Sequence, residues 1–373
     1  MSGIYVHIPF CKQACTYCDF HFSTQLKHQD DLCEALCIEI ATRVGELTTP
    51  IQSIYFGGGS PSIVSDKNLQ KIFDQLRKSF DLSELKEVTL ESNPDDHSEA
   101  KLQFWRTLGI NRLSIGIQSF IERDLTFMNR AHNSTEALNC VAMAHEAGFE
   151  HLTIDLIYGI PNQSLEEWKA NIEYAIASGV NHISAYCLTV ESKTALAHLI
   201  DTDQIQEKSD EEIEAEYLLL HRTLEEAGFD HYEISNFAKS GSKAVHNSNY
   251  WKSAEYLGLG PSAHSFDGKS TRRWNASNNA VYIKSIRNKQ DYWESETLSE
   301  KERVNEEIMT GLRRKIGVNY QSFPAECQSA FRKNLDEIAP QLKEKLILTV
   351  TSVSIKPESW LMADAIIRDL IID

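Results

Sequence analysis

The chain has 373 residues, 42% of them hydrophobic, which suffices for one large core plus a smaller unit and excludes a disordered or fibrous protein. Its 54 acidic side chains outnumber 37 basic ones, and the net charge of −17 repels phosphate backbones, so no nucleic acid is expected as a ligand. No apolar run approaches the roughly 20 residues that span a bilayer, and the N-terminus lacks the pattern of a leader peptide, so the expected location is the cytoplasm.

Short β-branched and aromatic runs recur at Gly3–Ile8, Ser53–Phe56, Glu87–Ser92, Arg112–Ile117, His151–Ile157 and His182–Leu188. Between them, segments such as Asp66–Phe80, Ser134–Gly148 and Ser164–Gly179 show helical apolar spacing and often end in glycine. Right-handed crossovers make such a β/α series a parallel sheet, and six units fall short of the eight of a closed barrel. The expected α/β fold is an open (β/α)6 three-quarter TIM-like barrel. Ligands collect at the C-terminal ends of such strands. Those ends carry Cys11, the Gly57–Ser60 turn with Gly58 and Gly59, then Glu91, Gln118, Asp155 and Thr189. Capping or turn formation explains any one of these residues; six together point to a ligand.

After about residue 205 the alternation weakens. The spacing predicts a helix over Asp210–Ala227, a strand near Tyr232–Phe237, an irregular stretch over Ser240–Asn279, a helix over Glu302–Lys315 and a strand-like alternation over Lys345–Ile355. The expected division is a barrel domain over 1–235 and a smaller C-terminal α/β domain over 236–373.

Eight cysteines in so long a chain, three of them within eight positions, do not form a disulfide framework. Cys33, Cys37, Cys140 and Cys187 lie in or beside regular elements and read as small core residues. Cys11, Cys15 and Cys18 instead form CxxxCxxC directly after the first strand. Three thiolates at this spacing can wrap three corners of a [4Fe–4S] cubane and leave the fourth iron without a protein ligand. An open iron can chelate the amino and carboxylate groups of S-adenosylmethionine (SAM). A zinc site completed by His7 or His21 is the alternative.

CxxxCxxC after the first strand resembles the motif of the radical SAM superfamily. Ile4–Cys11, the Gly57–Ser62 turn and Asp155–Pro161 match its coproporphyrinogen-oxidase-like branch, which includes oxygen-independent coproporphyrinogen dehydrogenases and HemW-type heme chaperones. The resemblance implies that Gly58, Gly59, Ser60, Glu91, Gln118, Arg130, Asp155 and Thr189 line a SAM site. It also implies that Tyr5 and Tyr17 sit against the cluster or the adenine. Physically, the glycines admit close backbone approach with exposed amides and carbonyls, Glu91 and Asp155 are acceptors, and Arg130 can fork onto a carboxylate.

The dehydrogenase pattern continues as CxxxCxxCxC, whereas Phe20 stands two residues past Cys18. Further on, His246-Asn-Ser-Asn-Tyr250-Trp251 is similar to the HNxxYW motif of the HemW family, which is associated with heme. An imidazole can ligate heme iron, and Tyr250 and Trp251 offer flat faces for a porphyrin. Packing of His246 and the two aromatics at a domain seam is the alternative. The expectation is a heme chaperone that passes heme to client hemoproteins, respiratory ones among them. A dimer is compatible with it, and any membrane contact would come through the clients. The competing reading is a radical SAM coproporphyrinogen III dehydrogenase.

Overall fold

The computed structural model describes residues Met1–Asp373. Six parallel strands follow one another in chain order: β1 (Ser2–Ile8), β2 (Ile51–Gly58), β3 (Glu87–Ser92), β4 (Arg112–Gln118), β5 (His151–Tyr158) and β6 (His182–Cys187). Both faces are covered, so most strand residues are buried; in β1 Ile4, Val6 and Ile8 alternate with the half-buried Tyr5 and the buried His7. The crossover helices begin where the sequence supplies caps. Ser65 caps Asp66–Ser79, and Asn133 with Glu136 and Ser164 with Glu167 form reciprocal capping boxes.

The sheet does not stop at the sixth strand. β7 (Asp230–Glu233) and β8 (Asn236–Ala238) form an antiparallel hairpin on β6, so the expected boundary at 235/236 falls within that hairpin. On the other margin, β9 (Glu255–Leu259) runs parallel to β1, and β10 (His264–Phe266), β11 (Thr271–Asn275) and β12 (Trp293–Thr297) extend it antiparallel. The stretch 240–279, expected to be irregular, therefore supplies three strands and the short helix Val245–Tyr250. Its strands are too short for period-2 alternation to show above the turn residues between them.

A buried polar network holds these added strands. Glu39 accepts from Tyr282 Oη (2.5 Å), Gly260 N (2.7 Å) and Asn275 Nδ2 (2.8 Å), while Arg43 donates to the Gly258 carbonyl (2.6 Å) and pairs with Glu39 at 3.2 Å. With its lone pairs satisfied, a buried ion pair of this kind specifies position rather than adding net stability.

A separate sheet of β13 (Val318–Asn319), β14 (Leu346–Leu348) and β15 (Ser352–Ile355) lies near the C-terminus. The single alternating stretch expected over Lys345–Ile355 is a hairpin instead: the chain reverses at Thr349–Thr351, where Thr349 N donates to the Ser352 carbonyl at 2.9 Å. No helix is long and apolar enough to cross a membrane.

Candidate functional site

Cys11, Cys15 and Cys18 lie in the loop leaving the C-terminal end of β1, all half-buried and all free thiols. The loop is tied down from several sides. Thr16 N donates to the Met128 carbonyl (3.2 Å), Asn129 Nδ2 to the Ala14 carbonyl (2.7 Å), and Leu196 N to the Thr16 carbonyl (2.8 Å). Asn129 sits in the left-handed region (φ 53°), which asparagine tolerates better than most side chains. Lys12 anchors the loop to β3's end through Asp95 (2.6 Å) and Asp96 (2.5 Å).

Burial pushes the Cys11 thiol up to about 12, a hydrogen bond with Ser60 opposes the rise, and neighbouring Cys15 and Cys18 add to it. Burial likewise raises Cys18. The Arg130 guanidinium opposes the rise at both Cys11 and Cys18. Arg130 stands beside them, donating from Nη1 to Cys15 Sγ at 3.2 Å. No three His, Cys, Asp or Glu side chains converge as tightly as a single enclosed ion requires; a cubane instead takes its sulfurs at separate corners. His7, one candidate fourth zinc ligand, is already committed. Its Nε2 donates to the His21 carbonyl (3.1 Å), so its Nδ1 is the acceptor for Tyr5 Oη (2.9 Å), and burial lowers its pKa to about 4. His21 Nε2 is 2.7 Å from Asn279 Oδ1. Three thiols with no committed fourth ligand fit a cluster that keeps one iron open.

The glycine turn differs from expectation. Gly59 N donates to the Ile8 carbonyl (2.8 Å), Ser60 N to the Phe10 carbonyl (2.6 Å), and Gly58 N to Glu91 (3.1 Å). The amides expected to be free for SAM are thus used within the chain, and only carbonyls remain for an ammonium donor. A Cβ on Gly59 would lie 2.5 Å from the Phe10 carbonyl oxygen, and one on Gly58 (φ 112°) 2.6 Å from the His7 ring. The glycines let the β2 turn lie against the strand that delivers Cys11.

The remaining predicted residues stand on or beside consecutive strands. Glu91 on β3 accepts from Tyr55 Oη (2.7 Å), and burial raises it to about 7 despite that bond and the one from Gly58. Asp155 on β5 lies near Ser114 Oγ (3.4 Å) and is raised by burial to about 6. Gln118 ends β4 with φ 67°, at a register shift against β5. A non-glycine residue held in that region at a strand end marks a position constrained by more than the sheet. Ser60 accepts from Asn93 Nδ2 (2.7 Å). Thr189 follows β6, half-buried. Tyr17 packs against Leu125, Met128, Ile157 and Ile160 beneath the cysteine loop, while Tyr5 stacks on Tyr55 with ring centroids 6.1 Å apart. Arg130 differs from its expected role: Nη2 holds Asn93 Oδ1 (2.7 Å) and the Gly116 carbonyl (2.8 Å), so the guanidinium joins β3, β4 and the cysteine loop. Asn93 and Asn129 went unassigned in the sequence, although Asn93 stands in the Glu91–Pro94 strand end.

The His246 motif lies at the opposite, N-terminal ends of the strands. Val245 N and His246 N both donate to Glu87 at the start of β3 (2.9 Å each). The imidazole is buried with Nδ1 at 2.9 Å from Ser53 Oγ and Nε2 at 3.2 Å from Tyr250 Oη, and its ring stacks on Tyr55. Burial lowers its pKa to about 3. Both nitrogens are engaged, so the expected axial ligation of heme iron by His246 is not available in this arrangement; the packing alternative describes the ring. Tyr250 and Trp251, in contrast, open into a cavity of about 520 Å³. Glu233 and Asn236 from one sheet margin and Tyr256, Phe266 and Arg272 from the other line the same space, so the sheet curls until its two ends face each other.

Residues 5–175 match the radical SAM superfamily. The heme chaperone HemW of Bacillus subtilis (strain 168) is 33% identical over 350 residues, covering 93% of this chain and 91% of its own length. The mitochondrial radical S-adenosyl methionine domain-containing protein 1 of Danio rerio is 30% identical over 100% of this chain and 87% of its own. Among solved structures, coproporphyrinogen III oxidase (HemN) from Escherichia coli, a radical SAM enzyme, superimposes with a TM-score of 0.84 at 20% identity over 99% of this chain and 90% of that one, which shows a shared fold. A loop of three thiols on the first strand of a parallel barrel, and kinship along nearly the whole chain, place this protein in the HemW family of the radical SAM superfamily.

Proposed function

We propose that the chain is a heme chaperone of the cytoplasm, which binds heme, carries a SAM-binding [4Fe–4S] cluster and hands heme to client hemoproteins. The reading rests on kinship to HemW and on one structural observation: Tyr250 and Trp251 of the HNxxYW motif line a cavity between the two margins of the sheet. Aromatic faces in a cavity of that size suit a flat apolar macrocycle.

In this reading Cys11, Cys15 and Cys18 hold the cluster. Glu91, Asp155, Gln118, Ser60, Thr189 and the carbonyls of Gly58 and Gly59 surround SAM, and Arg130 steadies the thiolate of Cys15. When bound, the cluster and SAM supply one-electron chemistry at the sulfonium. Phe20 occupies the place of the oxidase's fourth cysteine and is 70% exposed, so that position offers no further thiolate.

The test is to incubate anaerobically reconstituted protein with SAM, reductant and either heme or coproporphyrinogen. Stoichiometric heme retention, and transfer to an apo-hemoprotein, are expected. Turnover of coproporphyrinogen to protoporphyrinogen would reject the chaperone reading in favour of the dehydrogenase.

A further inference from the structure

The cavity beside the motif has a charge pattern that the motif does not account for. Arg272, from β11, and Arg313, just past the helix Glu300–Leu312, both line it. Arg272 Nη2 pairs with Glu306 at 2.7 Å, yet its Nε is buried without any partner. An unpaired guanidinium N–H shut away from water is unfavourable unless a ligand satisfies it. Arg313 Nη2 reaches Asp364 at 2.7 Å, an aspartate whose side chain is 82% exposed and is a weak competitor for the guanidinium. Two acids share these walls: burial raises Glu233 to about 7 against its bonds to Asn236 and Ser235, and Glu306, raised by burial against the pull of Arg272, is the guanidinium's present partner.

The aromatic wall and the arginines come from different elements. Tyr250 and Trp251 close one side, Tyr256 and Phe266 come from β9 and β10, and the Arg272 guanidinium lies 6.0 Å over the Phe266 ring. A flat apolar body carrying carboxylates is the ligand such walls complement. His246 is removed from this space by its bonds to Ser53 and Tyr250.

We propose that the cavity recognises a tetrapyrrole by its carboxylates rather than by its metal: Arg272 and Arg313 pair with the propionates while Tyr250 and Trp251 face the ring. This rests on the heme reading above and adds to it the specificity of the site. An iron-free porphyrin dicarboxylate is a ligand on the same footing as heme, and neutralising the carboxylates removes the main polar anchors.

The full-length wild-type protein is titrated with heme, with metal-free protoporphyrin IX and with the dimethyl ester of protoporphyrin IX, by fluorescence quenching and absorption. The two acids bind within a few-fold of each other, and the ester binds at least about tenfold more weakly, the loss expected for one charge-assisted bond. Arg272→Gln and Arg313→Gln each weaken both acids by about tenfold and leave the ester nearly unchanged. Heme binding with no affinity for the metal-free acid, or an ester as tight as the acid, overturns the carboxylate clamp and leaves the chaperone reading standing. Failure of every tetrapyrrole to bind overturns both. The ester comparison uses the unaltered protein, so a variant that fails to fold does not remove the test.

Discussion

Arg130 Nη1 lies 3.2 Å from Cys15 Sγ, and the same guanidinium holds Asn93 and the Gly116 carbonyl through Nη2. One side chain therefore fixes the cysteine loop to the ends of two strands and sets a cation within hydrogen-bond reach of one of the three sulfurs.

Arg130→Met is expected to lower cluster content, read as iron and labile sulfide per chain after anaerobic reconstitution. The apo-protein loses roughly 2–3 kcal/mol in urea unfolding, because Asn93 and the Gly116 carbonyl lose charged hydrogen bonds. Lysine cannot span three partners with the same planar fork, so Arg130→Lys does not restore the cluster. An iron content equal to wild type in both variants would refute this role.

Gly59→Ala places a methyl group 2.5 Å from the Phe10 carbonyl oxygen, a backbone atom one residue before Cys11. Relief requires the turn and the cysteine loop to separate. The expected outcome is a drop in stability of roughly 2 kcal/mol, in the range of overpacking in a well-packed interior, together with impaired cluster assembly. Thermal melts of the apo-protein and sulfide assays check the two effects separately.

Burial raises Glu91 from its ordinary 4.5 to about 7, so the native state keeps a proton that the unfolded chain releases at lower pH. The associated stability is fully present below 4.5 and is lost as pH rises through about 7, an effect of about 3 kcal/mol. Asp155, raised to about 6, acts in the same direction. Urea midpoints of the apo-protein should fall from about pH 5 to about pH 8, and Glu91→Gln should flatten that slope. SAM is cationic at its sulfonium, so its binding to wild type strengthens over the same rise in pH and loses that dependence in Glu91→Gln. Calorimetric titration at the two pH values is the measurement.

His246→Ala removes a buried ring and leaves Ser53 and Tyr250 without their partner. A loss of roughly 2–4 kcal/mol in unfolding free energy is expected. The Soret band of heme bound per folded chain should keep its position, because the imidazole does not reach the cavity. A shifted Soret band in the variant would assign the ring to the iron.

Much of this protein is written in short-range pattern. β-Branched and aromatic runs place all six parallel strands within a few residues of their ends, and helical spacing places the helices that begin at Leu165 and Asp210, because these signals depend on neighbours in the chain. CxxxCxxC is legible for the same reason: three thiols within eight residues must share one loop. Positions defined by partners distant in sequence were not legible. His246 lies 193 residues from Ser53, and only the folded sheet reveals that its ring fills space between β2 and the motif helix rather than facing a ligand. Arg272 and Glu233 line one cavity because the sheet curls its margins together, a relation set by long-range strand order that local spacing does not encode. Local pattern sets the elements and the thiol triad; long-range packing selects which polar atoms are left free for a ligand, since each buried donor or acceptor seeks whatever partner the fold brings within about 3 Å.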